Sequence, residues 1–138
     1  MIRTERLKLR TAGQTDVRDI TAEVATLVER SGIRAGLVTV FVPGSTAGLT
    51  TIEFEAGLVQ DLKEAFERLA ASDVPYHHDL RWGDGNGFSH VRAALLGPSL
   101  SIPLEAGRLT LGTWQQIVLV DMDNRPRTRE VIVQIMGE

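Results

Sequence analysis

Residues 36–42 read Gly-Leu-Val-Thr-Val-Phe-Val, a run that is rich in β-branched residues and almost continuously apolar. β-Branched and aromatic residues favour strands, and a continuous apolar run is typical of a strand buried on both faces. The run therefore predicts a central strand of the fold. Small residues at 43–48 end this strand, and residues 50–54 are predicted to form a short second one.

Two long helices and one short helix are predicted around this strand. Thr15 and Asp16 are candidate caps of the first helix, whose apolar residues recur with the helical period as far as Val28. The same period over residues 57–71 predicts the second long helix, and residues 88–96 predict the short one. Each long helix has one apolar and one charged face, so each should lie on a sheet.

Strands dominate the remainder of the chain, since apolar and polar residues alternate between turn-forming segments. They are predicted at residues 2–11, 100–104, 108–122 and 129–136, whereas residues 72–87 show no periodicity and are predicted to form a loop. With no repeat and no linker, residues 1–138 are expected to form one compact α+β domain on a mainly antiparallel or mixed sheet.

The composition excludes several classes of function. The 138 residues include no cysteine, which excludes disulfides and thiol catalysis. No apolar run reaches about 18 residues, so no membrane span is expected. A net charge of −3 argues against a nucleic-acid partner. The N-terminus lacks the apolar core of a signal peptide, so a cytoplasmic location is expected.

The segment from Tyr76 to His90 is the first candidate for a functional site. It contains all three histidines of the chain, His77, His78 and His90, around a glycine-rich stretch at 82–87. Glycines let the backbone approach a ligand closely, and free N–H groups before a helix favour an anion.

Two interpretations of these histidines remain open. In the first, His78 and His90 bind a metal ion with help from Asp79, Asp84 or Glu53, because imidazole and carboxylate suit zinc and related ions. In the second, the loop is only a tight connection whose histidines make ordinary hydrogen bonds.

A second candidate is the segment of small and hydroxyl residues at 44–51. Its hydroxyl groups have the chemistry to bind phosphate, although the pattern is neither a P-loop nor a nucleophile elbow. The alternative is a crowded turn that needs small residues.

Arg125, Arg127 and Arg129 alternate, so they share one face of a strand and form either a solvated hairpin end or an anion contact. Trp114 beside Gly112 is interpreted as a core residue or as a wall of the site.

Four segments together resemble one known family. Residues 44–50, 84–97, 107–115 and 134–138 occur in the order found in YjbQ-like proteins, also called the secondary thiamine-phosphate synthase family. The resemblance covers nearly the whole chain, and Gly107–Gln115 (GRLTLGTWQ) is its most specific part. It implies a compact α+β subunit that forms a homotrimer with a polar site near the subunit boundaries.

The resemblance also implies an activity and a set of site residues. The activity is a weak one that joins a pyrimidine diphosphate to a thiazole phosphate and releases pyrophosphate, with a divalent metal, zinc or magnesium, at a histidine cluster. His78, His90, Glu53 and Asp61 match family histidines and acidic positions, and residues 108–115 match the hallmark run. The expected residues are His78, His90, Glu53 and Arg108 for catalysis, Ser45, Thr46, Thr50, Asp84, Asn86, Trp114 and Gln115 for ligand binding, and His78, His90 and Asp84 for metal.

This chain departs from the family pattern at three positions. Many members have histidine at the position of Gly44, and a subgroup with glycine there has histidines at the positions of Gly83 and Phe88. Zinc usually takes at least three protein ligands, so the implied site needs others, such as Asp84, Asp79, His77 or a neighbouring subunit. The alternative function is a non-catalytic trimer that binds a small phosphorylated ligand or a protein partner.

Overall fold

The computed structural model describes residues 1–138 and contains eight strands and four helices in two antiparallel sheets. The strands are β1 (Ile2–Thr11), β2 (Asp16–Asp19), β3 (Gly36–Phe41), β4 (Ala47–Ile52), β5 (Ser99–Glu105), β6 (Arg108–Leu109), β7 (Gln116–Asp121) and β8 (Arg127–Gly137). The helices are α1 (Thr21–Ser31), α2 (Ala56–Leu69), α3 (His77–Trp82) and α4 (Gly87–Leu96). The predicted α+β class is confirmed.

The two sheets pack face to face. The larger sheet has the order β1-β8-β3-β5-β6 and the smaller has the order β2-β7-β4. Sixteen buried residues, including Val40, Leu119 and Val133, fill the space between the sheets beneath α1. A second cluster, which includes Phe66, Ala93 and Val120, lies between the outer face of the smaller sheet and helices α2 and α4.

The strand that is buried on both faces is β7, not β3. Ile117 and Leu119 point into the core between the sheets, while Val118 and Val120 contact the helix layer, and all four are fully buried. Leu37 and Phe41 of β3 remain 37% and 39% exposed. The prediction of two-sided burial for β3 was therefore wrong, because no helix covers the outer face of the larger sheet.

Three local predictions were also wrong. Residues 16–19 pair with β7 as strand β2, so α1 begins only at Thr21, where Asp19 Oδ1 accepts the Thr21 N–H at 3.0 Å. The predicted loop contains the six-residue helix α3, and the predicted strand at 108–122 is interrupted between β6 and β7. None of the four helices is long and apolar enough to cross a membrane.

Strand directions bring several chain segments to one end of the sheets. At this end β1 and β7 finish and β4 and β8 begin, because Thr11 pairs with Arg127 and Ala47 pairs with Asp121. The connections after β3 and before α4 also lie there, since Met122 donates its N–H to Thr46 O at 2.8 Å and Asn124 donates its N–H to Asn86 Oδ1 at 3.1 Å. The candidate site is at this end.

Candidate functional site

The floor of the site is a buried ion pair that joins the two sheets. Arg129 of β8 donates from Nε to Asp121 Oδ2 at 2.7 Å and from Nη2 to Asp121 Oδ1 at 2.8 Å. Both residues are buried, and Thr11 of β1 donates a further hydrogen bond to Asp121. Burial alone would raise the pKa of Asp121, but the hydrogen bonds from Arg129 and Thr11 outweigh it and hold this pKa below its usual value.

Asp123 extends this network towards the surface. Its Oδ2 accepts the Thr46 hydroxyl at 2.9 Å and lies 3.4 Å from Arg127 Nη1. Thr46 in turn accepts a hydrogen bond from Arg129 Nη2 at 2.7 Å, so its hydroxyl is already engaged on both sides. The second guanidinium nitrogen, Arg129 Nη1, lies towards Gly44, where an added Cβ would approach it to 3.2 Å.

Above this floor is a polar cavity of about 470 Å³, which we call the arginine cavity. It is lined by Gly44, Ser45, Thr46, Asp84, Asn86, His90, Asp123, Asn124, Arg125, Arg127 and Arg129, none of them hydrophobic. The three alternating arginines therefore share one surface, as predicted. Counted together with Asp121 beneath Arg129, they meet three carboxylates, and Arg125 is the one arginine without a salt bridge. An anion would therefore be held by directed guanidinium N–H groups, mainly those of Arg125, and not by an excess of positive charge.

The histidine cluster lies where α3 meets α4. The ring centroids of His78 and His90 are 4.2 Å apart. His78 Nδ1 is buried, has no hydrogen-bond partner, and lies 3.6 Å from Asp84 Oδ1 and 3.9 Å from Asp79 Oδ1. Ligand atoms of His78, Asp79 and Asp84 all lie within 4.8 Å of one another, a spacing that suits a shared metal ion.

His90 connects this cluster with the arginine cavity. Partial burial lowers the pKa of His90, and the neighbouring His78 lowers it further. A lowered pKa keeps the imidazole neutral near pH 7, which is the form that binds metals. His90 lies outside the set of three ligands and contacts it through the ring of His78.

Backbone contacts hold the two carboxylates in place. Asp79 Oδ1 accepts the Gly87 N–H at 2.9 Å, and Asp84 Oδ1 accepts the Asn86 N–H at 3.2 Å. Asn86 is buried, and its Oδ1 accepts the Asn124 N–H at 3.1 Å, which joins α4 to the connection between β7 and β8. Asn86 therefore holds the loop in place through its Oδ1, and it also lines the arginine cavity.

Arg92 anchors α4 beneath the histidine cluster. Its Nε donates to Ala70 O at 2.9 Å, its Nη1 donates to Thr15 Oγ1 at 3.0 Å, and its Nη2 pairs with Glu67 Oε2 at 2.5 Å. The guanidinium carbon also lies 4.8 Å from the ring centre of Phe88. Because these bonds reach α2 and the connection before β2, they fix the helix that carries His90.

A second cavity, which we call the small-residue groove, adjoins the arginine cavity. It has a volume of about 360 Å³ and shares Gly44, Ser45 and His90 with its neighbour. The rest of its lining is Ala47, Ala93, Ala94, Gly97 and Pro98. Its surface is mainly apolar, so the two cavities together suit a ligand with one charged and one uncharged part.

The structure does not bring all of the predicted residues together. Glu53 follows the end of β4, about 20 Å along the strand from Ala47, and Arg108 lies in β6 at the far end of the larger sheet. Gln115 bonds to Thr51 at 3.0 Å near Glu53, while Trp114 is 73% exposed and is therefore not a core residue. Thr50 lies in the middle of β4, outside both cavities, and Asp61 lies on α2.

The three positions at which the family resemblance implies histidine differ in their surroundings. Gly44 borders both cavities. Gly83 has a φ of +66° and ends α3, and no atom lies within 4 Å of the position that a Cβ would occupy there. Phe88 is buried against Arg92, two positions before His90 and so on nearly the opposite side of α4.

Sequence reasoning missed several residues of the site. Asp121 and Asp123 end a buried strand in the sequence Val-Asp-Met-Asp, a pattern that signals buried carboxylates with partners elsewhere. Asn124 and the groove residues Ala94 and Gly97 gave no signal, because their role depends on the packing of α4 against β4.

Comparison with known proteins identifies the family. Residues 5–138 match the family described as UPF0047 protein YjbQ-like, and the chain belongs to this family. A UPF0047 protein of Archaeoglobus fulgidus is 42% identical over 130 residues, which cover 94% of this chain and 98% of the relative. UPF0047 protein YugU of Bacillus subtilis is 33% identical over 133 residues, which cover 95% of this chain and 97% of the relative.

Solved structures show the same fold. The crystal structure of a YbjQ-like protein of unknown function from Sulfolobus solfataricus has a TM-score of 0.95 at 34% identity, covering 100% of this chain and 99% of that one. A hypothetical protein from Aeropyrum pernix has a TM-score of 0.92 at 34% identity, covering 99% of each chain. The chain therefore has the fold of this family.

The ion pair that anchors α4 predicts a pH-dependent stability. Hydrogen bonds from Ser72 and from Arg92 lower the pKa of Glu67 from 4.5 to about 2. The stabilising contribution of Glu67 is therefore complete above about pH 4.5 and is lost as the pH falls through about 2. We expect Glu67→Gln to lower the free energy of unfolding by about 1 kcal/mol at pH 7, since the Glu67 side chain is half exposed and solvent screens its charge.

Urea denaturation of both proteins between pH 7 and pH 2 checks this expectation. The difference between wild type and variant should shrink towards zero at the acid end. Glu64→Gln, on the same helix but without a contact to Arg92, is the control. A difference that persists unchanged at the lowest pH would contradict the assignment.

Proposed function

We propose that the site binds a divalent metal ion and a small phosphorylated ligand, and that it catalyses a transfer of the thiamine-phosphate synthase type. The arrangement that supports this most directly is the contact between the histidine cluster and the arginine cavity through His90. One group of residues suits a cation, the other suits an anion, and a ligand placed between them would contact both.

The residues of the histidine cluster fit a divalent metal. The Nδ1 atom of His78 is buried without a hydrogen-bond partner, whereas buried polar atoms normally have one. A metal ion bound to this nitrogen would also be within reach of the carboxylates of Asp79 and Asp84. We assign His78, Asp84 and Asp79 as ligands, with His90 beside them as a neutral imidazole. One imidazole and two carboxylates, with His90 available as a further nitrogen, satisfy the donor set that zinc uses and that other divalent ions accept. A bound metal would supply positive charge to a departing diphosphate.

The arginine cavity supplies the chain's own contacts for phosphate. Arg125 reaches the cavity from the connection between β7 and β8, Arg127 reaches it from the first position of β8, and Ser45 lines the same cavity. Arg129 contributes a buried positive charge whose orientation Asp121 fixes. Arginine binds phosphate oxygens through two parallel hydrogen bonds, so this wall suits a diphosphate better than a neutral group.

The small-residue groove is the proposed place for the uncharged ring of the same ligand. Ala94 and Gly97 leave a mainly apolar surface beside His90. Gly44 has no side chain between the groove and the cavity, so a ligand can extend across it. A pyrimidine methyl diphosphate has this shape, with a flat ring at one end and the diphosphate at the other.

The reaction would be a displacement at the methylene carbon of the pyrimidine. The thiazole nitrogen forms a new C–N bond while the C–O bond to the diphosphate breaks, and the bonding electrons leave with pyrophosphate. The chain then needs to orient the two substrates and to stabilise negative charge on the leaving group, without accepting a proton. Arg127 and Arg125 are placed to do the second task.

The alternative is a non-catalytic protein that binds a phosphorylated ligand or a protein partner in the same site. What favours it is that Gly44, Gly83 and Phe88 stand where the family resemblance implies histidine, so these three positions supply no nitrogen ligand. Both proposals predict ligand binding, and only the first predicts turnover.

We also propose that the protein works as a homotrimer in the cytoplasm. The outer face of the larger sheet supports assembly, because Leu37 pairs with Met136, which pairs with Ile2, in an exposed apolar row. Light scattering coupled to size exclusion should give three times the 15.1 kDa of the chain. A monomeric mass at all concentrations would contradict the trimer.

Metal binding is tested by titrating Zn²⁺ and Mn²⁺ into the metal-free protein in a calorimeter. We expect one saturable site per chain that weakens at least tenfold in His78→Ala and in Asp84→Asn. His77→Ala is the matched control, since His77 is the exposed neighbour of His78. Equal binding by all four proteins would exclude the assigned ligands.

Turnover is tested with the pyrimidine diphosphate, the thiazole phosphate and Mg²⁺ or Zn²⁺, by following the formation of thiamine phosphate. We expect Ala94→Leu to fill the groove and to raise KM for the pyrimidine substrate about tenfold, while the affinity for inorganic pyrophosphate stays unchanged. Pyrophosphate binding without product formation would reject the transferase and support the non-catalytic alternative.

A further inference from the structure

A larger cavity lies at the opposite end of the larger sheet from the histidine cluster. It has a volume of about 600 Å³ and is formed by one face of α1 and the turn between β5 and β6. Arg108, which the proposed transfer leaves unused, lines it together with Arg34. Arg34 precedes β3 and Gly44 follows it, so the two sites are separated by about the length of this strand, roughly 20 Å.

The turn that forms one wall is held in an unusual conformation. Ala106 has a φ of +51° and Gly107 a φ of +77°, so both residues are in the left-handed region, which is uncommon for alanine. Gly107 donates its N–H to Arg34 O at 2.8 Å, and Arg34 Nη2 donates to Ala106 O at 3.2 Å. These bonds fix the Arg34 guanidinium above the turn, where an added Cβ on Gly107 would lie 3.3 Å from Arg34 Nη1.

The cavity combines cationic groups with an apolar base. Neither Arg34 nor Arg108 has a carboxylate within the 4.0 Å of a salt bridge, and Glu29 on α1 is the one acidic residue of the lining. Val28, Leu109 and Leu111 supply the apolar surface between them. Two unpaired guanidinium groups beside an apolar surface form a complementary site for an anion that carries a hydrocarbon part.

We propose that this cavity is a second ligand site, which binds a small organic anion independently of the histidine cluster. The carboxylate or phosphate of the ligand is held by Arg34 and Arg108, and its apolar part lies against Val28, Leu109 and Leu111. This assignment also accounts for Arg108, whose distance from His78 and His90 within the chain separates it from the proposed transfer.

Hexanoate and hexyl phosphate are suitable probes, because they distinguish a carboxylate ligand from a phosphate ligand, and hexylamine is the cationic comparison. Binding is followed by amide chemical shifts during titration up to about 10 mM. We expect at least one of the two anions to saturate with a Kd on the order of 1 mM and to shift the amides of residues 106–109. Hexylamine should not bind.

Four variants test the assignment of the residues. Arg108→Gln and Ala25→Leu should each weaken binding at least fivefold, the first by removing a charge and the second by filling the cavity. Glu29→Gln should strengthen binding about twofold, because it removes the one negative charge, and a folding defect does not produce this gain. Arg30→Gln, the next residue on α1 and outside the lining, is the control.

Saturation by either anion supports the site if binding is weaker in Arg108→Gln and Ala25→Leu and stronger in Glu29→Gln. The absence of saturation by both anions, equal binding of hexylamine, or equal affinity in wild type and Arg108→Gln would overturn it. The result does not depend on metal binding or turnover, so its failure is distinguishable from failure of the proposed function.

Discussion

The buried ion pair between Arg129 and Asp121 holds together the end of the fold on which the site is built. Arg129 belongs to the larger sheet and Asp121 to the smaller one, so their two hydrogen bonds cross the interface between the sheets. Thr11 at the end of β1 and Thr46 immediately before β4 add further bonds. Four chain segments therefore meet at a single pair of charges.

This ion pair fixes the position of the Arg129 side chain, which lines the arginine cavity above it. Removing one partner of a buried, hydrogen-bonded ion pair typically costs about 3–5 kcal/mol, because the other charge is left without compensation. The guanidinium is thus held rigidly below the arginine cavity, and Asp123 in turn orients Arg127 at the rim. The histidine cluster has a different support, since Arg92 ties α4 to α2 through bonds to Ala70 and Glu67. Two independent anchors therefore place the arginines of the proposed anion site and the histidine cluster side by side.

Periodicity in the sequence predicted the elements that carry a strong pattern and missed those formed by tertiary pairing. Residues 57–71 and 88–96 were predicted as helices and correspond closely to α2 and α4. Residues 16–19 have a pattern that fits a helix, but pairing with β7 makes them a strand, because a neighbouring strand offers hydrogen bonds that local propensity does not register. Helix α3, with six residues, is too short for its period to be visible.

The candidate site was only partly predictable for similar reasons. Three histidines near glycines indicated the segment from Tyr76 to His90, and the structure places His78, His90 and Asp84 in one cluster there. The alternation of Arg125, Arg127 and Arg129 indicated a shared face. Only the structure shows that Arg129 is buried and forms an ion pair with Asp121. The family resemblance grouped Glu53 and Arg108 with the histidines, whereas the strand directions place them at the other end of the fold.

A crystal structure of the protein with Mn²⁺ and pyrophosphate, with anomalous scattering recorded from the manganese, tests the proposed site most directly. It should show one anomalous peak at about 2.0–2.3 Å from His78 Nδ1 and from oxygens of Asp84 and Asp79, with pyrophosphate density against Arg127 and Arg125. An anomalous peak at another position, or pyrophosphate density outside the arginine cavity, would contradict the joint metal and phosphate site.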